Sequence, residues 1–318
     1  MHSDASPADR QAIEPPSTVS LELQAALRRG KAQPAMPWPT TNAAWRELVR
    51  SDAEQRAIVE RLLAQRNARL VPTMVGGVPC YRVEPLHPAT DGHFILHLHE
   101  GGYVFGAGLH GVNEAILLAS AARLPVLSVD YRMPPDFPFP AALDDAMAVW
   151  CAMARMADAD RMTIAGTSSG GALALALVQR LRIEGGPMPA ALAIGSPWSD
   201  LSKTGDSYRV NAFGGAAYEG LLAHMARLYA GPHDLKDPRL SPVYGRFDGF
   251  PPTILTSGTR DLFLSNTVRV DEAMRRAGVE TRLQVLEGQV HAAYLDPALP
   301  ESTWVFSEIA CFLRRHCG

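Results

Sequence analysis

Gly166-Thr167-Ser168-Ser169-Gly170-Gly171, set between the apolar β-type segment Met162 to Ala165 and the apolar helical segment Ala172 to Leu181, decides how this chain is read. Glycines around a central serine let the backbone turn sharply from strand to helix without Cβ clashes. The serine hydroxyl is thereby held out at the tip of the turn. Alone, G-x-S-x-G is a weak word that an ordinary Gly-rich turn also satisfies. It gains weight from its strand-turn-helix setting and from the partners that the rest of the chain supplies.

Outward from that turn, short apolar or β-branched runs alternate with longer helical patterns. The strands expected are Phe94 to His99, Val126 to Asp130, Met162 to Ala165, Ala191 to Ile194, Thr253 to Ser257 and Arg282 to Leu286. Helices are expected near Gly111 to Ala122, Pro140 to Met156, Gly171 to Ile183, Asn266 to Ala277 and Ser302 to Arg315. This alternation predicts an α/β chain with a mostly parallel central sheet and helices on both faces. Ligands on such sheets gather at the carboxyl ends of the strands.

Two regions break the pattern. Residues 18–70 read as helical, with Ser51-Asp52-Ala53-Glu54 as a capping box ahead of Ile58, Val59, Leu62 and Leu63. Residues 200–240 fall between two core strands and carry Leu221, Leu222, Met225 and Leu228 at helical spacing. Both are expected to pack together as a helical cap over the strand ends. The organisation expected is an N-terminal cap segment over 1–70 and a catalytic domain over 71–318 with a cap insertion at about 200–240.

The chain has 318 residues, a formal charge of -3 and well-mixed acidic and basic residues. It lacks the clustered Lys/Arg surface that nucleic acid or an anionic membrane requires, so the expected partner is a small, largely uncharged molecule. A homodimer is compatible with this reading. Met1 to Thr18 is polar, with Pro7, Pro15 and Pro16, and does not read as a secretory signal. No stretch is long and apolar enough to span a bilayer. Cys80, Cys151, Cys311 and Cys317 show no C-x-x-C pairing, which favours free thiols in a reducing cytoplasm.

A serine hydroxyl needs a base to take its proton and a third group to orient that base. Asp261 follows the strand Thr253 to Ser257 across Gly258-Thr259-Arg260, and His291 follows the strand ending at Leu286 across Glu287-Gly288-Gln289-Val290. The chain order Ser168, Asp261, His291 is that of α/β-hydrolases and differs from the chymotrypsin and subtilisin orders. His291 is expected as general base and then acid, with Asp261 fixing its tautomer. His99-Glu100-Gly101-Gly102-Tyr103 directly follows another strand. Its two glycines allow backbone N–H groups to come close to a reacting carbonyl, so Gly101 and Gly102, with the N–H of Ser169, are the expected oxyanion hole. His97-x-His99 is also a pattern of metallohydrolases, but further ligands are missing and no metal is expected. Asp144 and Asp145 lie adjacent within a predicted helix, where neighbours diverge in direction, and are read as structural.

These words together resemble the hormone-sensitive-lipase-like bacterial esterases (family IV) of the α/β-hydrolase fold, over roughly residues 94–295. His99 to Tyr103 is similar to the family's HGGG[FY]. The run Asp130-Tyr131-Arg132-Met133-Pro134-Pro135-Asp136-Phe137-Pro138-Phe139-Pro140-Ala141-Ala142 is similar to DYRLAPExPFPAA. Ser196-Pro197-Trp198-Ser199-Asp200-Leu201, Ser241-Pro242 and Pro251-Pro252 fall where the family has similar words. The resemblance implies carboxylic ester hydrolysis through an acyl-enzyme, no cofactor, a helical cap, and esters with short or medium acyl chains. A lactone hydrolase with the same triad is the alternative. A catalytically inactive binding protein on the same fold is the alternative of another class, and such relatives typically lose the histidine that is present here. Trp38, Trp45, Phe213 and Tyr218 are candidates to line the pocket.

The chain departs from the family at four places. Glu100 replaces the first oxyanion-motif glycine, so its carboxyl must point away, be paired or be neutral. Thr167 stands where many relatives have Asp and a second subgroup has Thr. The acid word D-P-L-x-D is Asp261-Leu262-Phe263-Leu264-Ser265, and His291 is followed by Ala292-Ala293 where H-G-F is common.

Overall fold

Strands covered on both faces read as unbroken apolar runs, and Met162–Thr167 and Ala191–Gly195 are buried at every position. The computed structural model describes residues 14–29, 39–48, 53–89, 92–211 and 218–317. Its strands are β1 (Ala68–Val75), β2 (Val78–Pro85), β3 (Phe94–Leu98), β4 (Val126–Val129), β5 (Met162–Thr167), β6 (Ala191–Gly195), β7 (Thr253–Gly258) and β8 (Thr281–Leu286). They form one sheet in the order β1-β2-β4-β3-β5-β6-β7-β8. From β4 to β8 every neighbouring pair is parallel, whereas β2 runs antiparallel to both β1 and β4.

The helices are α1 (Leu21–Arg29), α2 (Asn42–Leu48), α3 (Ala53–Gln65), α4 (Asn113–Ala122), α5 (Ala141–Met153), α6 (Ser169–Glu184), α7 (Ser207–Val210), α8 (Tyr218–Ala230), α9 (Leu264–Arg276) and α10 (Pro300–His316). Alternate strand residues face opposite layers, as the pleat dictates. Ile95, Ala165, Ala193 and Ile254 pack with α4 and α10, while Leu96, Ile164, Ile194 and Leu255 pack with α5, α6 and α9.

The six expected strands and five expected helices of the alternating region are present, with ends within a few residues of those read from the sequence. The β1–β2 hairpin was not foreseen. Its turn, Gly76-Gly77, holds φ of +59° and +80°, as a two-residue primed turn requires. β1 lies at the sheet edge and carries Pro72, so it lacks the continuous apolar run that reveals a central strand.

The two interrupting regions are helical where described. Trp45 of α2 packs on Phe105, ring centroids 6.4 Å apart, and a cleft of about 530 Å³ opens between α2 and α8, lined by Asn42, Trp45, His224 and Leu228 among others. Asn211, just past α7, donates its side-chain amide to the carbonyls of Thr259 and Asp261 at 3.1 and 2.9 Å. Ser207 Oγ donates to the Leu262 carbonyl and accepts the Ser265 N–H. The insertion is therefore stitched to the loop that follows β7. Ser51 and Asp52 of the capping box, with Trp38 and Phe213, lie outside the described residues, as do the side chains of Ala53, Glu54 and Tyr218.

Candidate active site

The elbow concentrates its strain on the nucleophile candidate itself. Ser168 holds φ +59° and ψ -120°, a conformation that costs a non-glycine residue about 1–3 kcal/mol and persists only when its surroundings enforce it. Here they do. The Ser168 N–H donates to the Gly195 carbonyl at 2.8 Å, and its carbonyl accepts the Trp198 N–H at 2.9 Å. The flanking glycines make room: a Cβ on Gly166 would lie 2.6 Å from the Leu98 carbonyl oxygen, and one on Gly170 would collide with that same oxygen. Their bareness lets the end of β3, which leads into Gly101, come against the serine turn. Gly170→Ala is expected to push the two apart and lower kcat about 100-fold or more, the size of a lost oxyanion donor, with a reduced melting temperature. Steady-state kinetics and a thermal melt check both.

Three side chains distant in sequence meet at the carboxyl edge of the sheet. His291 Nε2 lies 3.0 Å from Ser168 Oγ, and His291 Nδ1 lies 3.1 Å from Asp261 Oδ1. Asp261 is fully buried, whereas the His291 side chain is 22% exposed. The carboxylate is held by more than the imidazole, since Ser257 Oγ donates to Oδ2 at 2.7 Å and the Phe263 N–H donates to Oδ1 at 2.8 Å. Burial pushes the Asp261 carboxyl upward, but the charge and hydrogen bond of His291, together with the Phe263 amide, outweigh it and hold the group below the usual aspartate range. Its contribution to stability is present above the unfolded-state value and lost as pH falls through the depressed one. Phe263 also meets the imidazole edge-on at 4.7 Å.

Gly101 and Gly102 follow β3 with φ of +116° and +63°, the left-handed range that glycine tolerates. Ser169 is the first residue of α6, so its N–H belongs to the positive end of the helix dipole. Among the described residues none of these three amides donates a backbone hydrogen bond. Beside them Met225 of α8 and Trp198 press so closely on Gly102 that a Cβ there would collide with the methionine methyl.

The model of the alpha/beta hydrolase fold family matches residues 95–295. An acetyl-hydrolase of Streptomyces hygroscopicus is 33% identical over 235 residues, which cover 72% of this chain and 77% of the relative. A crystal structure of an esterase superposes with a TM-score of 0.90 at 37% identity, over 96% of this chain and 97% of that one. A hormone-sensitive lipase from a metagenome library gives 0.82 at 30% identity, over 93% and 97%. The chain belongs to the hormone-sensitive-lipase-like esterases of the alpha/beta hydrolase fold.

This esterase has a buried polar cluster beneath its elbow. Thr167 Oγ1 donates to Glu114 Oε1 at 2.6 Å and lies 2.7 Å from the Tyr294 hydroxyl. Glu114 Oε2 lies 3.1 Å from His97 Nε2, whose other nitrogen is 2.9 Å from Ser128 Oγ. His97, Glu100 and Glu114 offer ligand atoms within 4.8 Å of one another. Both His97 nitrogens and both Glu114 oxygens already have protein partners, and His99 stacks on Tyr131 at 4.0 Å with its Nδ1 on the Glu100 carbonyl at 2.7 Å. His97 and Glu114 thus belong to a hydrogen-bond network, whereas His99 Nε2 and Glu100 Oε2 are buried without a partner.

Although Glu100 is partly exposed as a whole, its Oε2 is buried without a hydrogen-bond partner. Burial, and then the neighbouring Glu114, push its carboxyl up to about 7. Two carboxylates within 4.8 Å of each other repel by at least about 3.5 kcal/mol at an effective dielectric near 20. Glu114 is engaged on both oxygens, by Thr167 and His97. Of the three ways open to Glu100, pairing is lacking at Oε2 and the raised carboxyl favours the neutral form.

In this family member Ala292 holds φ +56°, a left-handed conformation that costs an alanine roughly 1–2 kcal/mol, where relatives commonly place glycine. Asp144 pairs with Arg180, and Asp145 turns the other way to pair with Arg132. Sequence reasoning did not find Ser257, Asn211 or Glu114. A serine ending a strand, an asparagine in an insertion and a glutamate within a helix carry no chemical signal until tertiary contacts give them one.

Proposed function

We propose that Ser168 is the nucleophile, His291 the general base and then acid, and Asp261 the orienting carboxylate of carboxylic ester hydrolysis, the reaction class of the family to which the chain belongs. The observation that carries this reading is the unbroken line from Ser168 Oγ through the imidazole to Asp261, at 3.0 and 3.1 Å, beside three uncommitted amides. As Oγ attacks the carbonyl carbon, its proton passes to His291 Nε2, and Nδ1–H continues to donate to Asp261. The negative charge that develops on the carbonyl oxygen is met by the N–H groups of Gly101, Gly102 and Ser169. Collapse expels the alcohol, which takes the proton from His291 and leaves an acyl-serine. Water then repeats the sequence, donating its proton to His291, and releases the acid and free Ser168.

The cap in this proposal consists of the N-terminal helices and the insertion carrying α8. Support comes from Trp45 against Phe105, from Met225 against Gly102, and from the cleft that α2 and α8 share. Met225 and the buried Trp198 crowd the oxyanion loop, which favours esters of short or medium acyl chains, as does the name of the related acetyl-hydrolase. The substrate is a small-molecule ester, and no helix among the described residues is long and apolar enough to cross a membrane. Cys80, Cys151 and Cys311 are free thiols, which supports a cytoplasmic location. A homodimer belongs to the same proposal and is read out by analytical ultracentrifugation.

The test is a panel of p-nitrophenyl esters from acetate to palmitate, with lactones alongside. Turnover is expected to peak among the short and medium esters and to be negligible for palmitate. Preference for a lactone over every linear ester would overturn the assigned substrate class, and absence of any turnover would overturn the enzyme reading.

A further inference from the structure

Glu100 stands directly before Gly101, whose amide is assigned to the oxyanion, and occupies a place where the family carries glycine. A buried carboxylate oxygen without a donor is costly, whereas a protonated carboxyl needs no charge compensation. Glu114 on α4 lies within 4.8 Å of the Glu100 carboxyl and is itself held by Thr167 and His97. Two carboxyl groups sharing one site do not both ionise readily. The other titratable groups facing Glu100 are His97 on β3, His291 after β8, Tyr131 after β4 and Tyr294 in the turn that follows His291. Of these, the two histidines favour the ionised form and the two tyrosines stay uncharged.

We propose that Glu100 is a positioning residue that supports hydrolysis only while its carboxyl is neutral, and that its ionisation places an unpartnered negative charge on the residue preceding the Gly101 amide and curtails turnover in alkaline solution. The proton released goes to solvent, and no other group is consumed. The inference rests on the assignment of Ser168, His291 and the Gly101 and Gly102 amides made above. The elevation of the carboxyl to about 7 by burial and Glu114 sets where the loss begins.

The test compares kcat/KM for p-nitrophenyl acetate from pH 5 to 10 in the wild-type protein, Glu100→Gln and Glu100→Gly, corrected for spontaneous hydrolysis. The wild type is expected to lose about tenfold between pH 7 and pH 9, equivalent to about 1.4 kcal/mol, and both variants are expected to run level across that span. A merely structural role would lower the whole profile without changing its shape. Thermal stability gives a second readout. A carboxyl raised in the folded state contributes stability below its unfolded value that is lost as pH rises through the folded one. The wild-type melting temperature, relative to Glu100→Gln, is therefore expected to fall between about pH 4.5 and 7.

Should both Glu100 variants fold poorly, Glu114→Gln removes the neighbouring charge and is expected to move the alkaline descent to lower pH. A wild-type profile without descent, or a descent retained in Glu100→Gln or unmoved in Glu114→Gln, overturns the proposal. If Ser168→Ala is inactive in those same assays, that failure is confined to Glu100. If Ser168→Ala is active, the assignment of the nucleophile fails first.

Discussion

Ser168→Ala is expected to lower kcat for p-nitrophenyl esters by about six orders of magnitude, and His291→Ala by nearly as much, because triad members act as a unit and each single loss forfeits nearly the whole effect. The structure explains why no neighbour substitutes for the serine. Ser168 alone sits at the tip of the elbow with its hydroxyl 3.0 Å from Nε2, whereas Ser169 is wholly buried in the first turn of α6. The double variant should be no slower than either single one. A fluorophosphonate is expected to label Ser168 stoichiometrically and nothing else, as read by peptide mass spectrometry. Activity of Ser168→Ala near the wild-type rate, or labelling at another residue, would reject the mechanism.

Asp261→Asn is expected to cost about 10⁴ in kcat with little change in the fold. An amide offers one acceptor oxygen and one donor nitrogen. In the wild type, Oδ1 takes both the His291 Nδ1–H and the Phe263 N–H while Oδ2 takes the Ser257 hydroxyl. The asparagine that best keeps the Phe263 and imidazole bonds presents its nitrogen to Ser257. The alternative flip aims that nitrogen at Nδ1, selecting the tautomer that leaves Nε2 protonated and unable to accept from Ser168. Either way the imidazolium loses its fixed counter-charge. The asparagine variant should bind substrate with a similar KM, and the acid-side loss of stability attributable to the depressed Asp261 carboxyl should disappear. A kcat within tenfold of wild type would remove Asp261 from the mechanism.

The residues proposed for the triad are legible because each follows an expected strand: β5 and β7 are apolar runs buried at every position, whereas β8 alternates. The hairpin of β1 and β2 was not legible, since an edge strand with Pro72 and alternating exposure looks like any polar connection. Its one clear local word, Gly76-Gly77, went unused. Glu100 was visible as a departure from a familiar pattern, yet nothing in the sequence could bring Glu114 and His97 beside it, because that meeting depends on the packing of α4 against β3 and β5. The acid's support by Ser257 was hidden for a related reason: within a strand a serine's direction is fixed only by the sheet around it.

Asn211 bridges two carbonyls of the loop that carries Asp261, so the insertion and the carboxylate proposed to orient the imidazole are mechanically one piece. If α7 borders the bound ester, as the proposed cap implies, a substrate or substitution that displaces it is expected to lower turnover as well as affinity.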